Sequence, residues 1–180
     1  MVNFRLTDNM NPRNAARVID HLRAERLWVP STEDYGSKHG EWLERTEARL
    51  IDGTAHALLA SFGRVAAGAV IFRPEPDNAT IIGIRNISIN PAYEGRYVGA
   101  FTLRNAECAA REAYPETSQI IVDTKTTNHA MIAFLESQDY TPEAIIDLYQ
   151  SGKPDIILSK LLRPQDAAAA PQPSDDHSTR

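Results

Sequence analysis

The residues best suited to chemistry lie in one stretch, Ile87-Ser-Ile-Asn-Pro-Ala-Tyr-Glu-Gly-Arg-Tyr-Val-Gly-Ala-Phe-Thr-Leu-Arg-Asn-Ala-Glu107. A strand-like run leads into a loop containing Gly95, Arg96 and Gly99, and a long helix opens there. The start of a helix leaves several backbone N–H groups without intrahelical partners, and the helix dipole is positive at that end. Such an end suits a pyrophosphate. Glycines allow close backbone approach, and Arg96 adds a positive charge. Glycine-rich turns also serve simply to tighten a strand-to-helix connection, and spacing alone leaves both readings open. A P-loop is excluded because no Gly-Lys-Ser/Thr follows. A dinucleotide fingerprint is excluded because the surrounding order lacks repeated βαβ units.

Other reactive side chains carry weaker signals. Cys108 sits among alanines with no basic partner in sight, and reads as a small packed side chain rather than a nucleophile. The histidines at 21, 39, 56, 129 and 177 show no ligand spacing, so no metal is expected. Asn86 and Ser88 precede the loop. They either touch substrate or water, or form a polar outward face; the outward face is the simpler expectation.

These residues need a scaffold. Val2 to Thr7 alternates weakly, as a first strand would. Asn11-Pro12 reads as a helix start, and Ala15, Val18, Ile19 and Leu22 follow at helical spacing, with a stop by Pro30. After the polar stretch Ser31 to Lys38, a second helix carries Leu43 and Leu50 and ends at Gly53. Ala55 to Phe62 and Val65 to Phe72 read as a hairpin about Gly63-Arg64, with Pro74, Pro76, Asp77 and Asn78 as a loop. Thr80 to Ile89 is a third run, and its Ile84-to-Ile87 step predicts a bulge.

A helix from about Tyr97 to Ala113 should turn Phe101, Leu103, Ala106 and Ala110 inward. Ile120 to Thr124 reads as a buried strand. Asn128 to Ser137 reads as a helix carrying Met131, Ile132, Phe134 and Leu135. Ile145 to Tyr149 and Ile156 to Leu161 read as final strands around Ser151-Gly152. The order is β-α-α-β-β-β-α-β-α-β-β, an α/β (α+β) fold on a mixed sheet. Residues 1–162 form one domain; residues 163–180, poor in large apolar side chains, read as a disordered tail.

Composition agrees with a single folded domain. The chain has 180 residues, of which 42% are hydrophobic. No run approaches the roughly 20 apolar residues of a membrane span, and no secretory signal is visible at the start. A single cysteine allows no intrachain disulfide, as expected of a cytoplasmic protein. A net charge of −5 gives no general reason to expect a nucleic-acid partner.

The loop stretch resembles the acetyl-CoA motif of the GNAT superfamily of N-acetyltransferases. In that motif a strand ending in Val-x-Pro is followed by Gln/Arg-x-x-Gly-x-Gly/Ala. Glu94 stands at the Gln/Arg position, Tyr97 at the first glycine and Gly99 at the second. A second family segment, Asn-x-x-Ala-x-x-(Leu/Phe)-Tyr-Glu-Lys-x-Gly-Phe, is similar to Asn128 to Tyr140. The resemblance covers residues 55 to 162 well and the N-terminal helices more loosely. It implies that strands four and five splay apart and that acetyl-CoA lies between them as cosubstrate. Ile87 and Ile89 would then offer backbone groups to the pantetheine arm. Gly95, Arg96, Tyr97, Val98, Gly99 and Ala100 would line the phosphates. Asn128 would either sit near the cofactor or cap its helix. The implied reaction is direct attack of a neutral primary amine on the thioester within one cleft.

Three departures from the family pattern matter. Glu94 brings a negative charge beside the phosphate site. Tyr97 requires the loop to avoid a conformation reserved for glycine. Leu135 stands where the family's frequent general acid, a tyrosine, would be; Tyr140 and Tyr149 are the candidate replacements, with Asn86 as a further catalytic candidate. Gly83 and Arg85 stand where the family often carries a glutamate base. An acceptor with a lowered pKa, such as an α-amine, needs less help from a base. Trp28, Tyr35 and Trp42 flank a region that shapes the acceptor pocket in the family, or else pack the helices on the sheet.

Three functions follow: an N-acetyltransferase acting on a small molecule, peptide or protein N-terminus; a CoA-binding module that has lost activity; or a toxin-like enzyme acting on aminoacyl-tRNA. The acidic balance weighs against the last. By analogy with the fold, a homodimer is expected.

Overall fold

The computed structural model describes residues 4–7, 10–23, 38–148 and 152–162. Val2, Trp28, Pro30, Tyr35, Tyr149, Ser151, His177 and the expected tail lie outside the described residues, as does the side chain of His39. The elements are β1 (Phe4–Thr7), α1 (Pro12–Leu22), α2 (Lys38–Asp52), β2 (His56–Phe62), β3 (Val65–Glu75), β4 (Asn78–Ile89), α3 (Val98–Ala113), β5 (Gln119–Lys125), α4 (His129–Glu136), β6 (Thr141–Ile146) and β7 (Asp155–Leu161). The order is the one the sequence predicts. The strands form a single seven-stranded sheet in the order β1-β2-β3-β4-β5-β7-β6. Among the described strands, only the β4–β5 contact is parallel.

Local signals explain the elements that place the site. The Asn11 side chain accepts from the Asn14 N–H at 3.0 Å, and Pro12 takes the first helical position of α1. Ala15, Val18, Ile19 and Leu22 are buried. With Leu43 and Leu50 of α2 they pack on Ala57, Leu59, Ala69 and Ile71 of β2 and β3. The opposite face of the sheet is closed by Leu103, Ala106 and Ala110 of α3 and Leu135 of α4. They cover Val70, Phe72, Ile82, Ile84, Ile120, Val122 and Leu158. Two cores thus sit on the two faces of one sheet, an arrangement that buries both sides of its central strands.

Several expectations need correction. Phe101 is 46% exposed, because the inward stripe of α3 runs through 103, 106 and 110, and residue 101 falls two positions, about 200°, off that stripe. Cys108 is exposed for the same reason. Pro74 lies within β3, where the pairing with β4 shifts, so the loop is shorter than its prolines suggest. The strand expected at Ile145–Tyr149 is instead Thr141–Ile146, since Thr141 and Pro142 pair with Ser159 and Leu158 of β7. Every residue of β6 is exposed, so apolar content is a poor guide to this edge strand.

The two non-glycine residues with positive φ among the described residues are Tyr97 (φ 63) and Asp139 (φ 68). Both stand at glycines of the motifs quoted above. The expectation that the loop avoids a left-handed conformation at Tyr97 is therefore overturned: the backbone keeps the geometry, and the tyrosine occupies it with its side chain outside the core. Left-handed backbone costs an L-residue about 1–2 kcal/mol, less for Asp, and glycine returns part of that as unfolded-chain entropy. Tyr97→Gly should therefore stabilise the fold by about 1 kcal/mol, and Asp139→Gly by less, in urea denaturation.

Candidate functional site

The site begins where two strands part. Ile81, Ile82, Gly83 and Ile84 of β4 pair with Gln119, Ile120, Ile121 and Val122 of β5, and the pairing stops there. β4 continues to Ile89 and β5 to Lys125. Beyond Ile84, β4 stays paired only with β3. The register shift opposite Ile71 and Phe72 leaves Arg85 as the extra residue, the bulge expected at the Ile84-to-Ile87 step. The Asn90 N–H donates to the Ala67 carbonyl at 2.9 Å. The two-residue alternation of antiparallel pairing then turns the N–H and C=O groups of Ile87 and Ile89 away from β3, toward the opening.

The start of α3 opens at the same end of β4. The Asn90 side chain accepts from the Ala92 N–H at 3.1 Å and sets the short 3-10 turn Pro91–Tyr93. Gly95 has φ 68, and Gly95, Arg96 and Tyr97 are exposed. Tyr97 gives α3 no side-chain cap. The N–H groups of Val98, Gly99 and Ala100 therefore lack intrahelical partners, at the positive end of the helix dipole. A Cβ on Gly99 would stand 3.4 Å from the Phe134 ring and 3.6 Å from Ile89, so the first turn of α3 lies close beside both β4 and α4. Glu94 is exposed and Arg96 lies two residues on, beside the same helix start.

The other jaw is held by charge. Lys125 at the end of β5 and Asp155 at the start of β7 form an ion pair of 2.9 Å, and both are buried. The Lys125 ammonium also donates to the Lys153 carbonyl at 3.0 Å. Asn128 caps α4: its side chain accepts from the Met131 N–H and donates to Thr124 Oγ1, each at 3.2 Å. Both ends of the Asn128 amide are therefore engaged.

Asn86 and Ser88 correct the outward-facing expectation. Asn86 pairs with Ile71 and Ser88 with Ala69, so both face the side of the sheet that α1 and α2 cover. Ser88 is 6% exposed. Ser88 Oγ and Asn86 Oδ1 are buried with no hydrogen-bond partner among the described residues. An unsatisfied buried polar atom is costly, and two of them sit on the segment of β4 from which β5 has parted.

The tyrosine candidates separate. Tyr140 is buried and its hydroxyl donates to Glu107 Oε1 at 3.0 Å. Lys160 pairs with the same carboxylate at 3.0 Å. Burial, the Glu107 charge and the hydrogen bond push the Tyr140 hydroxyl far above the ordinary tyrosine range. Tyr140 is thus a structural donor and not an available acid. Leu135 is fully buried in the core. Tyr149 lies outside the described residues. Trp42 packs partly buried on the α1–α2 core. His129 is exposed. His56 begins β2 opposite Phe72 and is paired with the Tyr114 hydroxyl at 2.9 Å, just past the C-terminal end of α3. Among the described residues no group of His, Cys, Asp or Glu could hold a metal ion, and no helix is long and apolar enough to cross a membrane.

A mixed sheet whose one parallel pair opens beside a helix start defines an acyl-CoA N-acyltransferase fold. Residues 18–140 match the acetyltransferase (GNAT) family, and the chain belongs to that family. Among solved structures, a GNAT acetyltransferase from Streptococcus pneumoniae aligns with a TM-score of 0.70 at 19% identity, over 89% of this chain and 100% of that one. The ribosomal-protein-S18-alanine N-acetyltransferase of Escherichia coli aligns with 0.63 at 13%, over 91% and 98%. A Bacillus anthracis protein provisionally assigned as a streptothricin acetyltransferase, crystallised with acetyl coenzyme A, aligns with 0.55 at 16%, over 61% and 63%. Such identities speak to fold alone. No curated protein matches the chain in sequence.

Tyr140→Phe should cost about 1.5–3 kcal/mol in urea denaturation, the value of a buried hydrogen bond to a charged group. It should leave enzymatic rates near wild type. Unchanged stability with lost activity would return Tyr140 to the list of acids.

Proposed function

We propose that the chain transfers an acetyl group from acetyl-CoA to a primary amine by direct attack in a ternary complex. The observation that carries this reading is the parting of β4 from β5 beyond Ile84 and Val122, beside the uncapped start of α3. Acetyl-CoA supplies an acyl group activated as a thioester, and a thiol is acidic enough (cysteine pKa about 8.5) that its thiolate leaves without strong acid help. The exposed edge of β4 at Ile87 and Ile89 suits the amide groups of an extended arm. The amides of Val98, Gly99 and Ala100, with Arg96, suit a diphosphate. The solved relative that holds acetyl coenzyme A supports the same cosubstrate here.

On the acceptor side, Asn86 Oδ1 can accept a hydrogen bond from the incoming amine, and Ser88 Oγ can donate or accept one. Both atoms lack a partner among the described residues. Holding the nitrogen there orders it for attack, which contributes through proximity rather than through proton transfer. Tyr149 is our candidate for the residue that protonates the thiolate, since Leu135 has no proton and the Tyr140 hydroxyl is committed to Glu107. An α-amine, mostly neutral near pH 8, needs little basic assistance. That favours small amines, peptides or protein N-termini over a lysine side chain. The Escherichia coli relative, named for the alanine of ribosomal protein S18, is consistent with such an acceptor.

Isothermal titration with acetyl-CoA tests the reading. Binding is expected in the micromolar range, about −8 kcal/mol. Gly99→Glu should abolish it and Arg96→Ala should weaken it several-fold. Equal affinity in all three proteins would remove the loop from the site.

A further inference from the structure

Next to Asn86, on the same face of the sheet, Arg73 and Arg85 share the Glu75 carboxylate, and Arg49, which also faces the exposed Asp52, lies near them. Arg73 of β3 lies directly opposite Gly83 of β4. Gly83 leaves room for the Arg85–Glu75 pair, whose groups meet at 2.5 Å. A Cβ on Gly83 would stand 2.8 Å from the Arg85 guanidinium and would clash with the Glu75 carboxylate. The ion pair therefore lies flat over the glycine. Glu75 thus engages Arg85, while among the described residues the Arg73 side chain makes no hydrogen bond or ion pair. Arg85 Nε is itself buried without a hydrogen-bond partner. Arg49, near the end of α2, adds a third positive charge. Burial, then Arg85, then Arg49 hold Arg73 below the ordinary arginine value, and Glu75 alone opposes them.

This excess of positive charge is a cost to the fold that a bound anion would relieve. The chain as a whole carries a charge of −5, so the cluster does not reflect a generally basic surface. Its position matters as much as its sign. Arg85 is the bulge residue at the point where β5 leaves β4, immediately before Asn86. The strand rises about 3.3 Å per residue, so Arg85 and Ser88 are separated by roughly 10 Å of backbone, and arginine side chains span much of that. Ser88 supplies a second, independent observation: its hydroxyl is buried and unpartnered on the same face.

We propose that the acceptor is an amine carrying an anionic group, a carboxylate or a phosphate, a few bonds from its nitrogen. Arg73 and Arg85 hold the anion and Asn86 and Ser88 hold the amine. The planar fork of arginine matches both kinds of oxyanion. This inference rests on reading the site as an N-acetyltransferase, and it narrows the acceptor to one class. Arg73 and Arg85 act here as specificity-determining residues and take no part in bond making.

The experiment is thiol release from acetyl-CoA with matched acceptor pairs, using the full chain. One arm sets glycyl dipeptides against their C-terminal amides; the other sets O-phosphoserine amide against serine amide. The anionic member of at least one pair should show a kcat/KM at least about tenfold higher, mainly through KM, as one charge-assisted contact supplies. The arm that shows it identifies carboxylate or phosphate. Arg73→Gln should collapse that ratio toward one, Arg73→Lys should restore part of it, and Arg104→Gln on the opposite face should leave it intact. Equal rates within every pair, or a preference that survives Arg73→Gln, would overturn the inference while leaving the acetyltransferase reading standing. No thiol release from any amine would contradict both.

Discussion

The parting of β4 from β5 is the constraint on which the rest depends. A sheet loses hydrogen bonds wherever two neighbouring strands separate, and buried backbone groups left unpaired are expensive. Here the separation begins after Ile84 and Val122 and is held open on both sides. On one side the Arg85 bulge bends β4, which β3 continues to pair. On the other, β5 remains paired with β7 along its whole length, from Gln119 to Lys125. The opening is therefore built from two intact half-sheets, and the groups it exposes belong to a rigid frame. A ligand that pairs with Ile87 and Ile89 takes the place of the missing strand.

Charge is distributed to suit that opening. The Lys125–Asp155 pair is buried, and Tyr140 and Lys160 both engage the Glu107 carboxylate. Removing one member of such a pair leaves an uncompensated charge, which fixes geometry even where net stability gains little. Around β4 the pattern is reversed. Asn86, Ser88 and Arg85 all carry buried polar atoms without partners. Three such atoms, on residues 85, 86 and 88, gather on the stretch of β4 from which β5 has parted. Real proteins break the rule of satisfied polar groups mainly at functional sites.

Much of the fold was legible because its signals are local. Asn11-Pro12 starts α1, Gly53 ends α2, and the uneven spacing of Ile84 and Ile87 marks the bulge. The loop at 95–100 could be read as an anion site because glycine, arginine and a helix start adjoin in the chain. What escaped depends on partners distant in sequence. Tyr140 looks like a free phenol until Glu107, 33 residues away, is placed against it. Asn86 and Ser88 look like an outward polar face until register sets them opposite Ile71 and Ala69. The Arg73–Arg85–Glu75 cluster exists only because Gly83 lets an ion pair lie across two strands. Phe101 and Cys108 failed through helical phase, where a shift of one or two residues reverses the outcome. Tyr97 failed for another reason: backbone geometry at that position persists although the side chain that would best suit it is absent.

Amide hydrogen exchange followed by NMR, with and without acetyl-CoA, addresses the central claim most directly. The account predicts that saturating acetyl-CoA slows exchange at Ile87, Ile89, Val98, Gly99 and Ala100 while the paired amides of Ile82 and Ile120 stay as they were. Unchanged exchange at the cleft amides, or protection appearing elsewhere on the sheet, would contradict it.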